Sequence, residues 1–209
     1  MEDWNTKYRD AGGGVLFGQD VNPYVRIVRR SFTPHAQSAL CLADGDGRNS
    51  RWLAKDGLHV TAVDISSVGT QLAADADQRA DIHVARVIAD MASWSPPPEQ
   101  AWDSVFIMYL QCEADVRLRT LRVGWAALAK GGVLALEAFA RPIDGQGSWR
   151  DVAASSGPGH PHLLYTVTEI LDALPHAEII EALEGVVHLD EGLKHQGPGH
   201  IVRFSARKL

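Results

Sequence analysis

From Ala43 to Asn49 the chain reads Ala-Asp-Gly-Asp-Gly-Arg-Asn, directly after an apolar run, Ser38 to Ala43, that fits a short buried strand. Gly45 and Gly47 let the backbone turn tightly and leave bare main chain for a ligand to lie against. The helix that follows aims its first amides at whatever sits in the turn. Two glycines after a strand also make a plain tight turn, so this stretch alone leaves both readings open. Asp64 follows in Val63-Asp64-Ile65, where a second strand ends. A carboxylate there can accept the hydroxyls of a ribose; it can equally cap the helix that begins at Ser66. Asp90, in Ala89-Asp90-Met91, closes a third strand. It could accept the exocyclic amine of an adenine while Met91 packs on the ring, or be an ordinary loop aspartate. Three strands that each end in an acid at one edge point to a nucleoside-bearing ligand.

The elements that must hold these residues alternate along the chain. Strands are expected over 38–43, 58–64, 82–88, 103–108, 133–140, 179–188 and 200–206. Helices are expected from Gly47 to Lys55, from a Ser66 cap to Arg79, over Glu113–Ala129 and over Thr166–Leu174, where Pro175 stops the last one. Alternation followed by two strands with no helix between them implies an α/β fold. It is a doubly wound, Rossmann-like, mostly parallel seven-stranded sheet with an antiparallel C-terminal edge strand pair and helices on both faces. In such a sheet the ligand crevice lies at the carboxyl ends of the strands, which is where the acids fall.

The chain has 209 residues, which suits one domain, 1–209, with an N-terminal lid segment over 1–30 and a substrate-side loop over 141–165. A formal charge of −6 argues against nucleic acid as a partner, and Arg26, Arg29 and Arg30 are read as a solvated helix face. Two cysteines, Cys41 and Cys112, make neither a disulfide framework nor a zinc set, and fit a reducing, cytoplasmic setting. The start, Met1-Glu2-Asp3-Trp4-Asn5, does not read as a signal peptide. No apolar run is long enough to span a membrane. A monomer and a homodimer fit equally well.

The stretch "LCLADGDGRNSRWLA" at 40–54 resembles the cofactor turn of class I S-adenosylmethionine-dependent methyltransferases, especially the small tellurite-resistance-type enzymes whose turn reads LDLGCGxGRNxxxLA. The likeness extends through Trp4-Asn5, Tyr8, Phe17-Gly18, Asn22-Pro23, "VTAVDIS" at 60–66, Ala89-Asp90, Trp102-Asp103, "ALAKGGVLALEAF" at 127–139 and the closing "EGLKHQGPGHIVRFSARK". The chain departs from the pattern at Cys41, where the family has an acid, at Ala43, where it has a glycine, and at Gln111, where relatives often carry a histidine. The resemblance implies S-adenosylmethionine as cofactor and S-adenosylhomocysteine as product. Ala43, Asp44, Gly45, Gly47, Arg48 and Asn49 would hold the methionine moiety, Asp64 and Ile65 the ribose, Asp90 and Met91 the adenine, and Met108 with Tyr109 the sulfonium. Trp4, Tyr8 and Phe17 would form the lid, although an aromatic helix packed on the sheet edge explains the Trp4/Tyr8 pair as well.

The sulfonium makes its methyl electrophilic by itself, so the protein has to align a nucleophile and exclude water. Soft sulfur, selenium or tellurium nucleophiles need little help; oxygen and nitrogen gain about 10²–10⁴-fold from a base. Candidates on the acceptor side are Tyr109, Glu137, His160, His162 and Tyr165, with Tyr109 and Glu137 taken as the catalytic pair. Glu137 also fits a substrate anchor or a loop-ordering carboxylate, and His160 with His162 is not a metal set. Ile107-Met108-Tyr109-Leu110 replaces the Asn-Pro-Pro-aromatic turn of DNA and protein amino-methylating enzymes, which favours a small-molecule acceptor. Two rivals stand: a non-catalytic S-adenosylmethionine-binding module, fed by Cys41 and Ala43, and a nicotinamide-dependent oxidoreductase. Against the second, Ser50 stands where the third glycine of its fingerprint belongs, and no Tyr-x-x-x-Lys pair occurs.

Overall fold

The computed structural model describes residues 3–11, 16–141, 157–158, 160–174, 176–192 and 194–209. Their order is α1 (Trp4–Asp10), α2 (Pro23–Ser31), β1 (Ser38–Leu42), α3 (Arg48–Lys55), β2 (His59–Asp64), α4 (Ser67–Arg79), β3 (Ala85–Ile88), β4 (Trp102–Met108), α5 (Ala114–Ala126), β5 (Leu128–Phe139), α6 (Val167–Ala173), β6 (Glu178–Glu191) and β7 (His195–Arg207). A 3-10 turn, Pro161–Leu163, precedes α6. The strands form one sheet in the order β3-β2-β1-β4-β5-β7-β6. β1 to β5 are parallel, whereas β7 runs antiparallel to both β5 and β6.

Successive residues of a strand point to opposite faces, so a strand covered on both sides reads as a continuous apolar run. Leu40 and Leu42 of β1 pack with Val105, Ile107, Leu134 and Leu136 against Leu121 of α5 and Ile170 of α6. Ala39 and Cys41 pack with Phe106 and Ala135 against Val25 and Val28 of α2 and Leu53 of α3. The doubly wound, seven-stranded sheet inferred from the alternation is the one observed.

Element bounds differ in three places, each for a local reason. β3 begins at Ala85 rather than residue 82 because the chain is still closing α4: Asp81 takes a left-handed φ of 54° and the Ile82 amide donates to Asp77 O. The helix expected to reach Ala129 ends at Ala126, and Lys130-Gly131-Gly132 lies within β5, where the Gly131 amide donates to Lys208 O at 2.7 Å. The closing hairpin is also longer than expected. β7 runs through Gly197-Pro198-Gly199, with Pro198 opposite His188. Before His200 the β5–β7 ladder has ended, so Pro198 interrupts no bond of that ladder. This extension brings Gly192, Lys194 and His195 to the carboxyl ends of the parallel strands.

Candidate functional site

The Ala43–Asn49 turn is built from left-handed residues. Ala43, Gly45 and Gly47 have φ of 55°, 62° and 79°. Only the two glycines adopt that conformation freely, and Ala43 bears the strain. The Gly45 amide donates to Asp64 Oδ2 at 2.8 Å and the Ser66 amide to Oδ1 at 2.7 Å. Asp64 therefore does both things open to it, tying the ends of β1 and β2 together while Ser66 caps α4 through Gly69 N.

Asp44 turns inward instead. Its Oδ2 accepts from Ser50 Oγ at 2.5 Å and pairs with Arg86 at 3.2 Å, so the Asp44 carboxylate braces the start of α3. Burial pushes its pKa up to about 6, against the lowering pull of Arg86 and Ser50; burial likewise raises Asp46 and Asp64. A carboxyl with a raised folded-state pKa favours folding below its unfolded value, and that contribution is lost as pH rises through about 6. A cationic ligand reverses the preference, because it favours the ionised form. Affinity for a cation in this cavity is therefore expected to tighten as pH rises from about 5 to about 7. Titration calorimetry across that window checks it, and Asp44→Asn should flatten the profile.

The turn forms one wall of a cavity of about 430 Å³ that follows the sheet edge, within the size range of small-molecule and cofactor sites. Asp90 and Met91 line it beyond β3, and Asp64 and Ile65 beyond β2. Ala43 to Asp46, Arg48 and Asn49 line it beyond β1, and Met108 to Glu113 beyond β4. Trp4, Tyr8, Phe17, His162 and Leu163 close it over. Most of the sequence-inferred residues thus meet at one place.

Four do not line it. Gly47 faces α4, where a Cβ would sit 2.7 Å from Ala73 Cβ and 2.5 Å from Arg86 Nη2. Tyr165 is wholly buried beside Arg117, whose guanidinium lies 5.1 Å from the ring. His160 lies outside the cavity beside His162. Of the 141–165 loop, 142–156 and 159 fall outside the described residues.

Glu137, taken with Tyr109 as a catalytic pair, is the fourth: it stands inside the fold, where its other reading, an ordering carboxylate, applies. It is completely buried, accepts from Asn22 Nδ2 at 2.6 Å and Arg203 Nε at 2.5 Å, and has no face on the cavity. Asn22 in turn caps α2 through Tyr24 N and donates its own amide to Asn49 Oδ1. A carboxylate locked this way orders α2 and the segment before it.

The N-terminal helix is latched onto the site. Asn5 Oδ1 accepts from Ser66 Oγ at 2.9 Å and Val68 N at 3.1 Å, at the start of α4. Tyr8 lies on the turn itself. A Cβ on Gly45 would meet its hydroxyl at 2.3 Å, and one on Gly69 would meet its ring at 2.8 Å, so both glycines are also needed for Tyr8 to seat there. Burial, with Asp46, Asp64 and Asp44 nearby, holds the Tyr8 phenol protonated. Asn5→Ala removes the latch. The expected result is faster release of a bound nucleoside ligand in stopped-flow, with about 1 kcal/mol or less of global stability lost.

Two further features were not legible in the motifs. Arg48 pairs with Glu191, next to the β6–β7 turn, and also donates to Asp20 O at 3.3 Å. Gly192 packs so tightly on 16–18 that a Cβ would lie 2.2 Å from Gly18 N, and the Lys194 amide donates to Leu16 O. The hairpin tip thereby seats the segment that carries Phe17. Beside it, His195 lines the cavity, 3% exposed, with its ring centroid 4.2 Å from Tyr109 and 5.0 Å from Phe17. Burial keeps this imidazole neutral, its pKa drawn down to about 3. Tyr109, at the end of β4, holds a left-handed φ of 56°. Strain of that kind in a non-glycine residue collects at functional sites.

Residues 39–132 match the family model described as "Methyltransferase domain". Among solved structures, the chain is similar to a protein from work on the conversion of a disulfide bond into a thioacetal group during echinomycin biosynthesis (16% identity, TM-score 0.74, over 98% of this chain and 90% of that one). It is similar to TehB from Haemophilus influenzae (15% identity, TM-score 0.73, over 90% of this chain and 63% of that one). It is also similar to a SAM-dependent methyltransferase from Methanosarcina mazei (17% identity, TM-score 0.69, over 91% and 99%). Likeness at these identities shows the shared fold. No curated protein sequence matches.

Proposed function

We propose, from the premise that this chain carries a methyltransferase domain, that it binds S-adenosylmethionine along the β3-β2-β1-β4 edge and transfers its methyl group to a small-molecule acceptor. The observation that carries this reading is the Gly45–Asp64 join. The two residues face one cavity from adjacent strand ends, and the other edge residues follow in the order a nucleoside joined to an amino acid requires. Asp90 with Met91 takes the adenine, Asp64 the ribose, and the Ala43–Asn49 turn the methionine. Bound there, the cofactor supplies an electrophilic methyl on a sulfonium. The aromatic rings of Tyr109, Phe17 and Trp4 border the space beyond it and keep water out.

A sulfur, selenium or tellurium nucleophile is the acceptor class to try first, because it asks least of the protein. A nucleic-acid acceptor is disfavoured by the −6 charge, and the free thiols Cys41 and Cys112 suit a reducing cytoplasm. Among the described residues no helix is long and apolar enough to cross a membrane.

The test is incubation with S-adenosylmethionine and a panel of thiols, selenite and small acids, followed by mass-spectrometric detection of methylated product and S-adenosylhomocysteine. Turnover of one class supports transfer. Strained Ala43 and the buried thiol of Cys41 favour a second reading, a protein that binds the cofactor without transferring from it. Tight binding with no methyl leaving across the panel would select it.

A further inference from the structure

We propose that His195 receives the X–H of the methyl acceptor, so that the pocket takes an uncharged thiol or hydroxyl and turns oxyanions away. This rests on the cofactor reading above and sharpens its substrate class.

His195 opens β7, on the β4 side of the cavity and across β1 from Asp64 and Asp90. If the nucleoside occupies the β2 and β3 ends, His195 stands at the other end, where an acceptor must approach. Its ring is held by Tyr109, Phe17 and the edge of Phe139, the last at 5.4 Å. An imidazole caged by aromatic rings is in part simple packing, and a phenylalanine would pack as well. The polar atom is what packing leaves unexplained. Nδ1 is buried without a hydrogen-bond partner among the described residues, whereas the Tyr109 hydroxyl lies against the buried Glu137 carboxylate. Native structures leave few such atoms, and each costs about 1–3 kcal/mol unless something meets it. One such atom, in a ring that lines the cavity, points to a ligand that supplies a hydrogen-bonding group.

The charges around the cavity select which ligand. Among the described lining residues Arg48 is the one lysine or arginine, and it is committed to Glu191 and Asp20 O. Asp44, Asp46, Asp64, Asp90 and Glu113 all line the same space. Selenite, tellurite or a carboxylate would find no uncommitted lysine or arginine among the described lining residues. An uncharged X–H meets a neutral imidazole, which always offers one unprotonated ring nitrogen. The bound cofactor would supply the methyl group and its sulfur would keep the carbon–sulfur bonding pair; as X gained the methyl, that ring nitrogen would accept the X–H proton. One positive charge, on sulfur, is thereby replaced by one on imidazole. The pocket's net charge does not change during the step, and the proton leaves to solvent with the product.

The experiment uses the whole chain loaded with S-adenosylhomocysteine and two probes of nearly equal shape, phenylmethanethiol and its capped form benzyl methyl sulfide. Binding is followed by titration calorimetry, with selenite as a third arm. Phenylmethanethiol is expected to bind at least about tenfold more tightly than the sulfide, as one satisfied buried hydrogen bond implies. His195→Phe should bring the two within about twofold, while S-adenosylhomocysteine affinity and the circular dichroism spectrum stay as in the parent. His195→Gln, which retains an acceptor, should recover part of the preference. The inference is overturned if neither probe binds the loaded parent, if both bind alike, if the preference survives His195→Phe, or if selenite is the better ligand. Failure of S-adenosylhomocysteine to bind is seen before any probe is added, and it removes the cofactor reading itself.

Discussion

Replacing Asp64 with alanine is expected to weaken S-adenosylhomocysteine binding by at least about 100-fold while the protein stays folded. The carboxylate stands at the end of β2 with both oxygens directed by backbone amides, from Gly45 and Ser66, and it borders the cavity between the turn and the Asp90 wall. A ribose diol donating to a carboxylate makes two charge-assisted hydrogen bonds, each contributing about 1.5–3 kcal/mol. Losing both corresponds to about 10²-fold or more in affinity. The Gly45 amide also loses its partner, so a fall of about 1 kcal/mol in stability accompanies the change. Asp64→Asn keeps one oxygen acceptor and should fall between. Fluorescence or calorimetric titration reads the affinities, with the thermal midpoint as the control for folding. An Asp64→Ala protein that binds within about threefold of the parent would remove Asp64 from the ribose role.

Glu137→Ala should act on stability rather than on chemistry, and strongly. The carboxylate is fully buried, and its two partners, Asn22 and Arg203, come from distant segments. Removing one member of a buried ion pair leaves the other without compensation and costs about 3–5 kcal/mol. Urea unfolding should therefore show a midpoint far below that of the parent. Glu137→Gln keeps the shape and an acceptor for Asn22 and should cost less. A catalytic carboxylate would behave in the opposite way, with normal unfolding and lost turnover.

Glu137 also illustrates what a linear reading of this chain can and cannot reach. A single acid inside "VLALEAF" stands out because a carboxylate is costly in a buried strand, and cost invites a functional explanation. The actual compensation comes from residues 115 and 66 positions away, and nothing local announces those partners. The sheet was legible because β1, β4 and β5 are covered on both faces and so read as unbroken apolar runs between glycine and aspartate punctuation. The cavity edge was legible because Asp44, Asp64 and Asp90 each sit within two residues of a strand end, where local pattern and topology agree. His195 was not. Gly197-Pro198-Gly199 reads as a loop, yet β7 continues through those residues paired with β6 and carries the histidine over the cavity. Asp44 was half legible: its place in the turn was evident, but its partner Arg86 lies on β3 and turns it inward, to brace α3.

On the proposed function, one continuous edge from Asp90 to Tyr109 binds an adenosyl amino acid. Titration calorimetry of the parent protein with S-adenosylhomocysteine, set beside NAD at the same concentration, tests it most directly. One equivalent of S-adenosylhomocysteine is expected to bind with saturable heat, and NAD is expected to give no measurable heat. Saturable binding of NAD without S-adenosylhomocysteine would contradict it.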